Sequence, residues 1–207
     1  MFSSSPSISS DRDPVSKLSL IAEEQEADNE VQSDPLSFIC KNPNEVYSRF
    51  GGTTKFIGET KGSCLELFDR DCLVKSISFC GDNSFIAINH PVNDKITLTL
   101  RGTHVCDDLF ATYIGYFNPD KCQDDDCWTE FTGISPYIEG TDFVTNGTRE
   151  CFVTSKLSPS QSIIISFENN KVTYSTPHSG RSRTVDCVDG WVFGIQMFCQ
   201  GESWSIE

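Results

Sequence analysis

The sequence predicts an all-β, disulfide-rich fold, arranged as two β-sandwich domains, with a single β-sandwich or jelly roll as the alternative. Three observations predict it. Short apolar runs alternate with Gly, Asn, Asp and Pro from Phe38 onward, and no long helical periodicity interrupts them. The apolar content is rich in strand formers, with 15 Phe against 2 Met. Ten cysteines in 207 residues form an even, dense set of the kind that pins small β units in an oxidising compartment.

The expected strands are read from these runs in chain order. They are Val74–Phe79, Phe85–Ile88, Ile96–Leu100, Ser162–Phe167, Val172–Ser175 and Trp191–Ile195. Ile96, Leu98 and Leu100 alternate with threonines, the period of a strand with one buried face. Turn signals separate the runs at Cys80-Gly81-Asp82-Asn83, Asn93-Asp94 and Glu168-Asn169-Asn170. Residues 1–35 differ in texture. They carry serine runs and the stretch Glu23–Glu30, hold no cysteine, and are expected to be an acidic disordered arm.

Cysteine spacing suggests a repeat. Cys64 and Cys80 are sixteen residues apart, as are Cys106 and Cys122, and the two pairs are offset by 42. The phrase Ser76–Phe79 followed by Phe85–Ile88 is echoed by Ile165–Phe167 followed by Val172–Tyr174. Four units of about forty residues, paired so that each pair buries one core, place domains at 36–128 and 129–207.

On these residues the chain resembles the βγ-crystallin family in its cysteine-rich extracellular form. Gly62-Ser63-Cys64-Leu65-Glu66-Leu67-Phe68 with Val74–Phe79 is similar to the second half of a βγ-crystallin Greek-key motif. Phe85–Pro91 resembles the opening strand of the next motif, and Gly102–Leu109 repeats the Gly…Cys…Leu phrase. The resemblance implies two Greek-key domains and a calcium site at Asp71 and Ser76. In that motif Cys72 and Lys75 stand where the family carries a ligand.

Charge and motifs narrow the function. The net charge of −14 and the lack of a Lys/Arg cluster exclude a nucleic-acid footprint and attraction to an anionic membrane. No run of eighteen apolar residues marks a membrane span, and the start Met1-Phe2-Ser3-Ser4-Ser5 lacks the basic and apolar regions of a signal peptide. A secreted form is expected to have lost its leader. No Gly-x-Ser-x-Gly elbow occurs. The expectation is a secreted, non-enzymatic binding protein whose partner is an extracellular protein, a basic one suiting the charge. A structural coat or matrix protein and a secreted hydrolase are the alternatives. No cofactor is expected beyond the calcium that the resemblance implies.

The expected half-cystines are Cys40, Cys64, Cys72, Cys80, Cys106, Cys122, Cys127, Cys151, Cys187 and Cys199, with the pairing left open. Asp124-Asp125-Asp126 forms a loop suited to a cation or a basic partner, and Asn146-Gly147-Thr148 fits the glycosylation pattern. Among the aromatic residues, Trp191 is expected in the core, while Trp204, close to the end, is the surface candidate.

Overall fold

The computed structural model describes residues 43–57, 64–77, 84–90, 93–102, 112–121, 127–137, 140–198 and 200–207. They belong to one compact unit, Asp34–Glu207. Among these residues a short helix α1 (Pro43–Arg49) precedes fourteen strands. These are β1 (Lys55–Ile57), β2 (Leu65–Phe68), β3 (Leu73–Ser76), β4 (Phe85–Asn89), β5 (Lys95–Gly102), β6 (Tyr113–Phe117), β7 (Phe131–Pro136) and β8 (Thr141–Thr145). There follow β9 (Thr148–Val153), β10 (Ser162–Glu168), β11 (Lys171–Thr176), β12 (Arg181–Asp186), β13 (Val192–Gln196) and β14 (Ser203–Ile206).

The strands form two antiparallel sheets of seven. One has the order β1-β4-β13-β6-β7-β8-β9 and the other β12-β11-β10-β5-β14-β3-β2. The chain is an all-β sandwich. Both sheets draw strands from both halves of the sequence, so residues 36–128 and 129–207 do not make separate sandwiches. The reason is visible in the pairing: β13 inserts between β4 and β6, and β14 inserts between β5 and β3. The last two strands thus occupy central positions, and the first half cannot close without them. The echoed phrases also part company, because β4 lies in the first sheet and β11 in the second.

The two sheets bury different patterns. In the second sheet β10 and β11 alternate buried and partly exposed residues, as β5 does up to Leu98, with Ile96, Leu98, Ile163, Ile165, Phe167, Val172 and Tyr174 in the shared core. In the first sheet β4, β6 and β13 are buried at every position. Ile86, Ile88, Ile114, Tyr116, Phe193 and Ile195 enter the shared core. Their neighbours Phe85, Ala87, Tyr113, Phe117 and Val192 form a second cluster on the opposite face, joined by Val46 of α1. Strands covered on both sides read as continuous apolar runs rather than alternating ones.

Turn chemistry fixes the hairpin registers. Asn146 and Gly147 link β8 to β9 with φ of 46° and 77°, and Asn169 and Asn170 link β10 to β11 with φ of 52° and 59°. Two-residue loops with both φ positive are type I′ turns, whose twist matches the flanking strands. The glycosylation triplet therefore coincides with a turn that selects Asn-Gly for backbone reasons, and Asn146 is exposed on it.

Candidate functional site

A cavity of about 240 Å³ opens at one end of the sandwich, between the sheets. The first sheet supplies Ile88 and Asn89 at the end of β4, His90 just beyond, Tyr116 on β6, and Val192 and Phe193 at the start of β13. The second sheet supplies Phe167 near the end of β10 and Lys171 at the start of β11. The β12–β13 connection, Cys187 to Trp191, closes one side.

Aromatic rings build the wall. The His90 imidazole stacks on Phe167 with centroids 3.9 Å apart and planes at 10°. It meets Phe193 and Tyr116 edge-on at 5.2 and 6.1 Å. Stacked and edge-on contacts of this kind pack the imidazole against three rings. Trp191 packs half-buried against the core and borders the same cavity.

A polar chain crosses the cavity floor. The Tyr116 hydroxyl donates to Cys187 Sγ at 3.5 Å, and its oxygen lies 3.5 Å from His90 Nε2. With the phenol proton turned to sulfur, the phenol oxygen is left to accept from Nε2–H. Burial pushes the Tyr116 hydroxyl far above the usual phenol range, and the nearby Cys187 adds to the shift. Burial likewise raises the Cys187 thiol. The Tyr116 hydrogen bond opposes this, while Asp189 and Asp186 reinforce it. A thiol held protonated is a poor nucleophile.

This yields a labelling prediction. Iodoacetamide at neutral pH will alkylate exposed Cys151 well ahead of Cys187, read by peptide mass spectrometry. Equal rates at the two positions would contradict the half-buried setting of Cys187. The same experiment without reductant reports how many of the ten cysteines are oxidised. Cys64, Cys72, Cys151 and Cys187 are free thiols in the structure, whereas a disulfide was expected at each. Cys40, Cys80, Cys106, Cys122 and Cys199 lie outside the described residues, as does the Cys127 side chain.

Other residues singled out in the sequence fall elsewhere. Asp71 sits in the β2–β3 turn and Ser76 at the far end of β3, buried, its amide bonded to the Glu202 carbonyl. Asp71 holds a left-handed turn position with φ of 68°, and strand β3 (Leu73–Ser76) runs between it and Ser76. No group of three or more potential metal ligands occurs among the described residues. Asp124, Asp125 and Asp126 lie outside those residues, as does the acidic arm. Trp204 is not a surface residue. It is 1% exposed on the central strand β14, with its indole N–H on Glu202 Oε1 at 2.6 Å. Trp191 is the tryptophan at the cavity, half-buried rather than in the core. His90, Tyr116 and Cys187 were not linked by sequence spacing. The pairing of β13 with both β4 and β6 is what gathers them.

No family model matches the sequence, and no curated protein matches it. The fold does have counterparts. The TRIM65 PSpry domain superposes with a TM-score of 0.55 at 9% identity, over 79% of this chain and 98% of that domain. Stonustoxin superposes with a TM-score of 0.51 at 10% identity, over 75% of this chain and 28% of the toxin chain. At these identities the likeness is one of fold, and function must be argued from the site. Among the described residues no helix is long and apolar enough to cross a membrane.

Proposed function

We propose that the protein is a non-catalytic binding module that holds a short segment of a partner protein by seating one side chain in the end cavity. The observation that carries this reading is the aromatic cavity itself. A void on the order of 150 Å³ accepts a benzene ring, so about 240 Å³ has room for a large side chain. Half-buried Trp191 and stacked His90 supply the rigid aromatic surface that dominates binding energy at protein interfaces.

The wall chemistry favours holding over turnover. Among the described residues Asp189 is the one carboxylate on it, whereas glycoside hydrolysis needs two. Cys187 is kept protonated by its surroundings. The extracellular location belongs to the same proposal and is supported by the cysteine count alone.

Peptide display tests the reading. Random extended peptides selected on the intact protein should share one anchoring residue and lose about tenfold or more in affinity to a Trp191→Leu variant of unchanged melting temperature. Selected peptides that bind this variant as tightly as the parent would place the binding surface elsewhere.

A further inference from the structure

Resting on that reading, we infer that the side chain the cavity takes is cationic, a lysine or arginine presented by the partner segment. The overall charge of −14 does not carry this. The described residues hold 14 acidic and 12 basic side chains, so the sandwich itself is close to balance and the acid excess resides in the rest of the sequence. The charge at the cavity is therefore a local question.

Among the described residues two charged side chains and one imidazole line the cavity. Lys171 is engaged: its ammonium donates to Asp186 Oδ1 at 2.8 Å, and the two charges offset each other. Asp189 makes no ion pair among the described residues, and it stands exposed at the mouth beside Gly190, whose φ of 78° turns the chain there. After the Lys171–Asp186 pair is set aside, one negative charge is left over. Asp186 and Asp189 both act on Cys187 in the direction of negative potential, which puts their field inside the cavity.

The walls act in the same sense. Aromatic faces carry negative charge density, and a cation close to an indole is attracted by it. An acidic guest would meet Asp189 with repulsion. A wholly apolar guest would gain nothing from Asp189, which keeps its water at the mouth. A lysine or arginine places its aliphatic stem against half-buried Trp191 and its charged head at exposed Asp189, so each portion of the side chain meets matching chemistry.

Small probes separate the alternatives on the full chain. n-Butylammonium and n-butanol, which share a stem and differ in the head, are titrated into labelled protein while the Trp191 indole resonance is followed, its identity fixed by a Trp191→Phe variant. The expected result is saturable movement of that resonance by n-butylammonium, weakened about three- to fivefold by Asp189→Asn and by added salt. n-Butanol should bind more weakly and ignore the Asp189 change. Asp189 is exposed, so its variant is expected to melt with the parent. If n-butanol binds as well as n-butylammonium, or if Asp189→Asn leaves the ammonium affinity unchanged, the cationic guest is overturned while the cavity remains a binding site. If neither probe moves the Trp191 resonance, the inference and the proposed function fall together.

Discussion

Replacing Gly133 with alanine is expected to destabilise the protein by about 3 kcal/mol or more, at the upper end of what overpacking a core costs. Gly194, Gly115 and Gly133 stand side by side across β13, β6 and β7, in register with Ala87 on β4. None of the three has a positive φ, so glycine is not required there for backbone conformation. It is required for space. A Cβ on Gly133 would lie 2.2 Å from the Ile114 carbonyl oxygen, 2.7 Å from Phe131 Cζ and 2.8 Å from Gly115 Cα. On Gly194 it would lie 2.4 Å from Phe85 Cζ.

The glycine row is a trench in which rings from the neighbouring rows lie down. Phe85 and Phe117 meet at 4.9 Å, and Phe117 and Phe131 at 4.6 Å. A methyl group must displace both a ring and the carbonyl of a paired strand, and the strand cannot yield without loss of its ladder. Gly180→Ala is the control. It sits in a turn with φ of 66° and open space around it, so it should cost only the left-handed penalty of about 1–2 kcal/mol. Urea unfolding of both variants decides the matter. A Gly133→Ala midpoint no lower than that of Gly180→Ala would mean that the rings do not rest on the glycines. The trench also bears on the cavity, because β6 carries Gly115 and Tyr116 in succession, and a strand pushed aside moves the phenol.

The same trench shows where sequence reading succeeds and where it stops. The second sheet was legible because β10 and β11 each have one wet face. Ile96, Leu98 and Leu100 alternate with polar partners, and Asn169-Asn170 marks the turn that joins β10 to β11. In the first sheet, β4 and β13 were found as apolar runs, but nothing in a run covered on both faces says which strand lies beside it. The long-range pairing of β13 and β14 with the first half is what excludes two independent domains, and pairing at such separation leaves no local mark. An evenly spaced cysteine pattern was therefore read as a duplication that the sheet order does not reproduce. The cavity was illegible for the same reason. His90, Tyr116, Cys187 and Trp191 come from well-separated stretches and become neighbours only when the first sheet closes. Trp204 misled by position: nearness to the end of a chain predicts exposure only if the last strand is an edge, and β14 is central.

Glu202 supplies the second large effect, and here the sign depends on pH. Its carboxyl is 3% exposed and accepts hydrogen bonds from the Thr112 hydroxyl and the Trp204 indole through the same oxygen. Thr112 leads into β6 of the first sheet and Glu202 leads into β14 of the second, so this contact fastens the sheets at the end away from the cavity. Burial raises the Glu202 carboxyl above its ordinary value of 4.5, and the two hydrogen bonds only partly oppose the shift. The folded state thus holds a proton that the unfolded chain releases. Stability from this group is fully present below pH 4.5, where both states are protonated, and it is lost as the pH rises through the raised folded-state value. Glu202→Gln removes the titration and keeps an acceptor oxygen for Thr112 and Trp204, while its amide N–H takes the place of the acid O–H. The variant should match the parent near pH 4 and exceed it by about 1–3 kcal/mol at pH 8. Taking the difference between the two proteins at each pH cancels other titrating groups, Asp142 among them. Urea midpoints from pH 4 to 8 give that difference, and a flat line would show that Glu202 ionises in the folded protein as freely as in water. Glu202→Ala completes the argument. It leaves the Thr112 hydroxyl and the buried indole N–H without their shared acceptor, so it should lose stability at every pH, most plainly in the acid range where the parent is at its strongest.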